Sequence, residues 1–189
     1  MLKRNMVNLA AYLRQKQLIS AVLLFLPFST AVAMPDGATA VTGFQLEKYL
    51  GTWYEIARLD HFFERGLTQV TATYSMREDG GVSVLNRGYK AKNGKWKDAE
   101  GKAYFVEEPD IGRLKVSFFG PFYGAYNIIA LEPENYRYAL VIGNNTKYMW
   151  ILAREPELEA SVLESLLLKA RKLGFATDEL IYPQKPTDK

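Results

Sequence analysis

Residues Gln69-Val70-Thr71-Ala72-Thr73-Tyr74-Ser75-Met76 alternate polar and apolar at every step, and Arg113-Leu114-Lys115-Val116-Ser117-Phe118 repeats the pattern. Successive side chains of a strand point to opposite faces, so this period means one dry face and one wet face. A helix needs apolar residues every three or four positions and cannot satisfy it. Turn chemistry divides the surrounding chain: Glu78-Asp79-Gly80-Gly81, Lys92-Asn93-Gly94, Glu108-Pro109-Asp110, Phe119-Gly120-Pro121, Pro133-Glu134-Asn135 and Asn144-Asn145-Thr146. The runs left between them lie at 51–59, 69–77, 82–91, 95–107, 112–119, 122–131, 136–143 and 147–154. Short links make sequential strands antiparallel. The fold class expected is therefore all-β: an eight-stranded antiparallel up-and-down β-barrel, which closes on itself and leaves no exposed edge.

Outside the barrel the period changes. Phe44 to Leu50 fits one helical turn. Pro156 suits a first helical turn, and Leu158, Val162, Leu163, Leu166, Leu167, Ala170 and Leu173 form one apolar stripe. Gly174 suits the left-handed stop of that C-terminal α-helix, and Leu180-Ile181-Tyr182 reads as a short extra strand. The domain is expected over 43–184, after a mobile lead-in at 34–42 and before a tail at 185–189. No internal repeat or second domain is visible.

The first 33 residues read differently. Lys3, Arg4, Arg14 and Lys16 precede the apolar run Leu18 to Ala33, which Pro27 interrupts and which ends in Ala31-Val32-Ala33. A cationic start, a short apolar stretch and an A-x-A end describe a signal peptide cleaved after Ala33. The alternative is a retained membrane tether, against which the run is shorter than the roughly 20 apolar residues that span a bilayer. The chain has 189 residues and a formal charge of +3. Those four cations account for it: without them 20 basic residues face 21 acidic ones, a charge of −1. Nucleic acid loses its compositional support as a partner.

The sequence has no cysteine. Disulfides, thiol nucleophiles and Cys-ligated metals are excluded, and so is thioether acylation behind the leader. The expected location is the periplasm, as a soluble protein after cleavage. The sole histidine, His61, stands in a loop without an evident Asp–His–Ser arrangement, so no catalytic residue, metal site or cofactor is nominated.

Strand parity nominates the barrel lining: Val70, Ala72, Tyr74 and Met76 on the second strand, Leu114, Val116 and Phe118 on the fifth. Tyr126 and Ile128 follow on the sixth, with Ala130, while Ile129 and Leu131 fall on the wet side. Trp150 and Leu152 line the eighth. Parity from Trp53 turns Glu55 inward as a buried acid and sends Arg58 to the other face. In a meander, the start of an odd strand and the end of an even one share a barrel end. Trp53 and Arg154 are thereby brought together to close the floor, with a guanidinium over an indole contributing roughly 0.5–2 kcal/mol. The mouth lies opposite. Phe62 and Phe63, in the loop Asp60 to Thr68, are candidates for a lid, a membrane contact or simple packing, and Phe122 and Tyr123 are placed on the same rim. Parity alone leaves a packed interior and a ligand cavity both open.

Gly51-Thr52-Trp53-Tyr54, Asn135-Tyr136-Arg137-Tyr138 and Trp150-Ile151-Leu152-Ala153-Arg154 occur in the order of the lipocalin signature. Gly51 to Arg58 and Val116 to Tyr123 resemble the bacterial, Blc-like branch related to apolipoprotein D. The resemblance implies an internal cavity and a non-enzymatic role, binding fatty acids or lysophospholipids for storage or transport in the cell envelope. The expected partner is a lipid or other apolar small molecule. Transient membrane contact and a homodimer stay open. The rivals are an isomerase- or haem-type barrel and an envelope interaction scaffold without lipid cargo.

Overall fold

The computed structural model describes residues 33–183. The leader, apart from Ala33, and the tail at 185–189 lie outside the described residues. Eight strands close into an antiparallel barrel in sequence order, with β8 pairing back onto β1. They are β1 (Gly51–Arg58), β2 (Leu67–Met76), β3 (Val82–Lys90), β4 (Lys95–Phe105), β5 (Arg113–Phe119), β6 (Phe122–Leu131), β7 (Tyr138–Ile142) and β8 (Met149–Ala153). β7 and β8 each begin two residues later than the turn pattern suggests. A single helical turn, α1 (Leu46–Tyr49), precedes the barrel, and α2 (Ala160–Lys172) follows it.

Two apolar clusters divide at the sheet. One fills the barrel and contains Trp53, Tyr74, Val82, Val84, Leu114, Ile128, Val141 and Leu152. The other lies outside it: the stripe of α2, including Leu166, Leu167 and Ala170, packs on Ala57, Ile129, Leu140, Ile142, Met149 and Ile151. β7 and β8 are thus covered on both faces, which explains their nearly unbroken apolar sequence. α2 starts at Ala160, so Pro156 precedes the helix instead of entering its first turn. Gly174, at φ +83°, provides the left-handed stop. Residues 180–182 form no strand, because only Ile181 bridges, to Arg58. The lead-in is held in its second half: Val41 N–H donates to the Ile128 carbonyl and Gly112 N–H to that of Val41.

Register shifts interrupt four ladders, β1–β8, β2–β3, β5–β6 and β6–β7, and the first and last of them explain the departures from parity on β1 and β6. Glu55 and Ala57 of β1 face Leu152 and Ile151 of β8, so two steps on one strand meet one on the other. Ile56 and Ala57 both turn outward toward α2, and Arg58 returns to the inside, directly across from Trp150. The expectation that Arg58 faces away from Glu55 is overturned by this extra residue. A second bulge on β6 separates Ile128 from Ala130. Ile129 and Ala130 pack against α2, and Leu131 comes back to the interior. The reading of Leu131 as wet and of Ala130 as inward fails for the same reason, whereas Ile129 keeps its outer face and is dry because α2 covers it. Lys169 of α2 donates to the Ile129 carbonyl at this irregularity.

Candidate functional site

The lumen has two ends of opposite character. At the closed end Trp53 is fully buried, its indole N–H donates to the Tyr49 carbonyl at 2.8 Å, and the Arg154 guanidinium lies 4.0 Å from its ring centroid. Arg154 also donates to the carbonyls of Thr52, Lys48 and Leu50. It thereby ties α1 to the barrel and gives its charge several acceptors. Gly51 holds φ +91°, and a Cβ there would stand 3.5 Å from the Arg154 guanidinium. A side chain at this position would be strained by the backbone alone. Above the floor, the Tyr126 hydroxyl lies 2.8 Å from those of both Tyr49 and Tyr74. Burial raises the pKa of all three, so they act as neutral hydroxyls.

Most parity-nominated residues face this lumen. Ala72, Tyr74, Leu114, Val116, Phe118, Tyr126, Ile128, Trp150 and Leu152 belong to the interior cluster. Val70 is buried against Gly88. Met76 departs from the expectation: it ends β2 at the closed rim, where its side chain is 51% exposed. Tyr123 departs as well. It packs near Tyr104, with Lys115 5.1 Å from its ring, on the outer face of the wall. Phe122 is at the open end and 78% exposed, as is Phe119 across the same turn.

The open end contains a cluster that parity missed. Arg58, 1% exposed, donates to Glu55 through Nη1 and to the backbone carbonyls of Glu64 and Leu67 through Nη2. The loop after β1 folds inward so that Glu64 is buried and accepts the Trp150 indole N–H at 3.0 Å. His61 is buried beside it, with its ring 4.6 Å from Trp150 and 5.1 Å from Tyr148. Phe63 stacks on His61, whereas Phe62 is 80% exposed. Of the two adjacent phenylalanines, one helps pack the loop and one meets solvent.

Two carboxyls thus lie near one guanidinium in a dry site, Glu55 bonded to it and Glu64 under the influence of its charge. Burial and the neighbouring Glu64 push the Glu55 pKa up to about 8, against the downward pull of Arg58. A protonated Glu55 still accepts the Arg58 hydrogen bond. Burial also raises Glu64, opposed by the Trp150 N–H and Arg58. Burial and Arg58 lower His61 to about 4, so its imidazole is neutral near pH 7. Glu55 is the carboxyl that contacts the Arg58 guanidinium, and Glu64 lies near enough to feel its charge. Arg58 Nε and His61 Nε2 have no hydrogen-bond partner among the described residues. Such orphaned buried groups are costly and mark places where a further polar group fits.

The lipocalin-like domain family matches residues 44–185. The outer membrane lipoprotein Blc of Vibrio cholerae is 52% identical over 167 residues, covering 88% of this chain and 98% of that protein. Blc of Escherichia coli K12 is 54% identical over 152 residues, covering 80% and 85%. Rat apolipoprotein D is 35% identical over 131 residues, with 65% and 67% covered. Among solved structures, insecticyanin from the tobacco hornworm superposes with a TM-score of 0.64 at 21% identity, covering 82% of this chain and 87% of that one. At that identity the superposition speaks to the fold.

Proposed function

Because this chain belongs to the lipocalin family, we propose that its barrel binds the acyl chain of a fatty acid or lysophospholipid non-covalently and carries it within the bacterial envelope. The observation that carries this reading is the polarity of the interior: an apolar, aromatic wall sealed at Trp53 and a buried charged cluster at the mouth. Each buried CH₂ contributes about 0.8 kcal/mol, so a long chain gains affinity from the wall alone. The headgroup then remains near the open end, where polar partners are found. Phe62, Phe119 and Phe122 are exposed at that end and suit contact with a lipid surface during pick-up.

The Blc relatives are named outer membrane lipoproteins, yet this sequence has no cysteine to carry a thioether-linked lipid. No helix among the described residues is long and apolar enough to cross a membrane. Export followed by leader cleavage at Ala33 fits this chemistry, and the form proposed is the free barrel in the periplasm. The reading is non-enzymatic: the buried groups at the mouth hold one another and provide no nucleophile–base pair.

Extraction of protein purified without detergent, followed by lipid mass spectrometry, tests the proposal. Co-purified acyl lipids are expected, as is quenching of tryptophan fluorescence when fatty acid is added. Trp150→Ala should weaken that binding. Repeated recovery of bare protein with no quenching would contradict the carrier reading.

A further inference from the structure

The mouth loop places a carboxyl group of the protein's own beside two donors suited to a ligand's head. Glu64 is buried, accepts the Trp150 indole N–H at 3.0 Å, and lies beside the Arg58 charge. Arg58 and Trp150 face each other across the β1–β8 ladder, where opposed side chains start about 5 Å apart. One of these two donors is occupied by Glu64. The other, Arg58 Nε, is buried without a partner among the described residues, while Nη1 and Nη2 are engaged by Glu55 and the loop carbonyls.

We propose that Glu64 is an internal stand-in for the anionic headgroup of the acyl ligand. An incoming carboxylate or phosphate oxygen displaces it from the Trp150 N–H and takes the Arg58 Nε–H beside it. This assignment rests on the acyl-carrier reading and adds to it the chemistry of the head and the side chain that competes with it.

One carboxyl leaves with the loop and one oxyanion arrives, which gives the unpartnered Arg58 Nε–H a charged acceptor. A neutral head cannot do this: removing Glu64 for an alcohol leaves a buried cation with a weaker partner, which is costly. The other ionisable side chains of the cluster are Glu55 on β1 and His61 on the loop, and His61 stacks on Phe63 and Tyr148 with Trp150 tilted against it. The Glu64 and Leu67 carbonyls that Arg58 holds give the loop its closed position, and they are the contacts that opening must break. The same residue thus keeps the loop shut and offers the free donor for the ligand.

The test is calorimetric titration of the full chain with three probes of equal chain length: laurate, dodecyl phosphate and dodecanol. The readout is each anion's preference over the alcohol, expressed as a ratio of Kd values. A hydrogen bond between charged partners corresponds to about tenfold in affinity. Glu64→Ala frees the indole N–H and should raise the preference for both anions about tenfold. Glu64→Gln keeps the loop packing, removes only the charge, and should move it in the same direction by less. Trp150→Phe keeps an aromatic ring, loses the donor, and should lower the preference about tenfold. A preference that rises for dodecyl phosphate alone assigns the head to phosphate lipids, and one that rises for laurate alone assigns it to fatty acids. An unchanged ratio in the Glu64 variants or in Trp150→Phe overturns the assignment, and if dodecanol still binds, the carrier reading stands without it. Failure of all three probes to bind the wild-type chain would remove both.

Discussion

Both ends of this barrel pack aromatic rings together, and they treat their polar groups in opposite ways. At the closed end Trp53 and Arg154 spend their donors on carbonyls of α1 and β1, and the tyrosine hydroxyls above them satisfy one another. At the open end, Glu55 pairs with Arg58 and Glu64 with the Trp150 N–H, while Arg58 Nε and His61 Nε2 are unpartnered among the described residues. Paired groups hold a fold; unpaired buried donors lower stability and leave capacity for a ligand. The difference separates the end that maintains the barrel from the end that works.

The strongest way to break this contrast is at the floor. Trp53→Ala removes a fully buried indole and should cost about 3–5 kcal/mol, read as a large fall in melting temperature. A small change there would mean that the floor is not what holds the barrel closed.

The next effect belongs to the mouth and depends on pH. Glu55 has its carboxyl pKa raised from 4.5 to about 8 in the folded chain. The folded state therefore binds its proton more tightly, and the stability this gives is complete below pH 4.5 and lost as pH rises through about 8. His61 has the opposite sign, because its folded value is lowered to about 4 from 6.5, so it contributes no slope above that range. Between about pH 5 and about pH 8, wild type should lose melting temperature relative to Glu55→Gln, with no further relative loss above that range. Parallel curves would show that Glu55 is ionised at the mouth throughout. The smallest effect is expected on the lip: Phe62→Ser should change stability by no more than about 0.5 kcal/mol, because this ring packs little. A loss of several times that size would assign Phe62 to the packed loop along with Phe63.

This same division governs what the sequence could reveal. Strict alternation in 69–76 and 113–118, with turn residues between strands, contains the barrel in plain form. Trp53 and Arg154 meet because the topology of a meander allows nothing else. The mouth was hidden by one extra residue. Ile56 and Ala57 are both apolar, so a bulge that sends both outward leaves no break in polarity, and Arg58 changes sides unannounced. On β6 the run Ile128-Ile129-Ala130-Leu131 carries the corresponding signal: four apolar residues where alternation calls for two, beneath a helix that covers the outer face. Glu64 had no signal at all. It comes from a loop without period, and only the fold brings it to Trp150, 86 positions away.

Position-dependent quenching measures the polarity of the bound chain directly. Palmitate brominated beside its carboxyl and palmitate brominated at the chain terminus are each titrated into wild type and Trp150→Phe, with the exposed Trp96 as an internal reference. The carboxyl-side bromine should quench Trp150 at the mouth, an effect that disappears in Trp150→Phe, and the terminal bromine should quench Trp53 at the floor. The reverse pattern, or quenching of neither Trp150 nor Trp53, would contradict a barrel that holds the tail at its sealed end and the head beside Arg58.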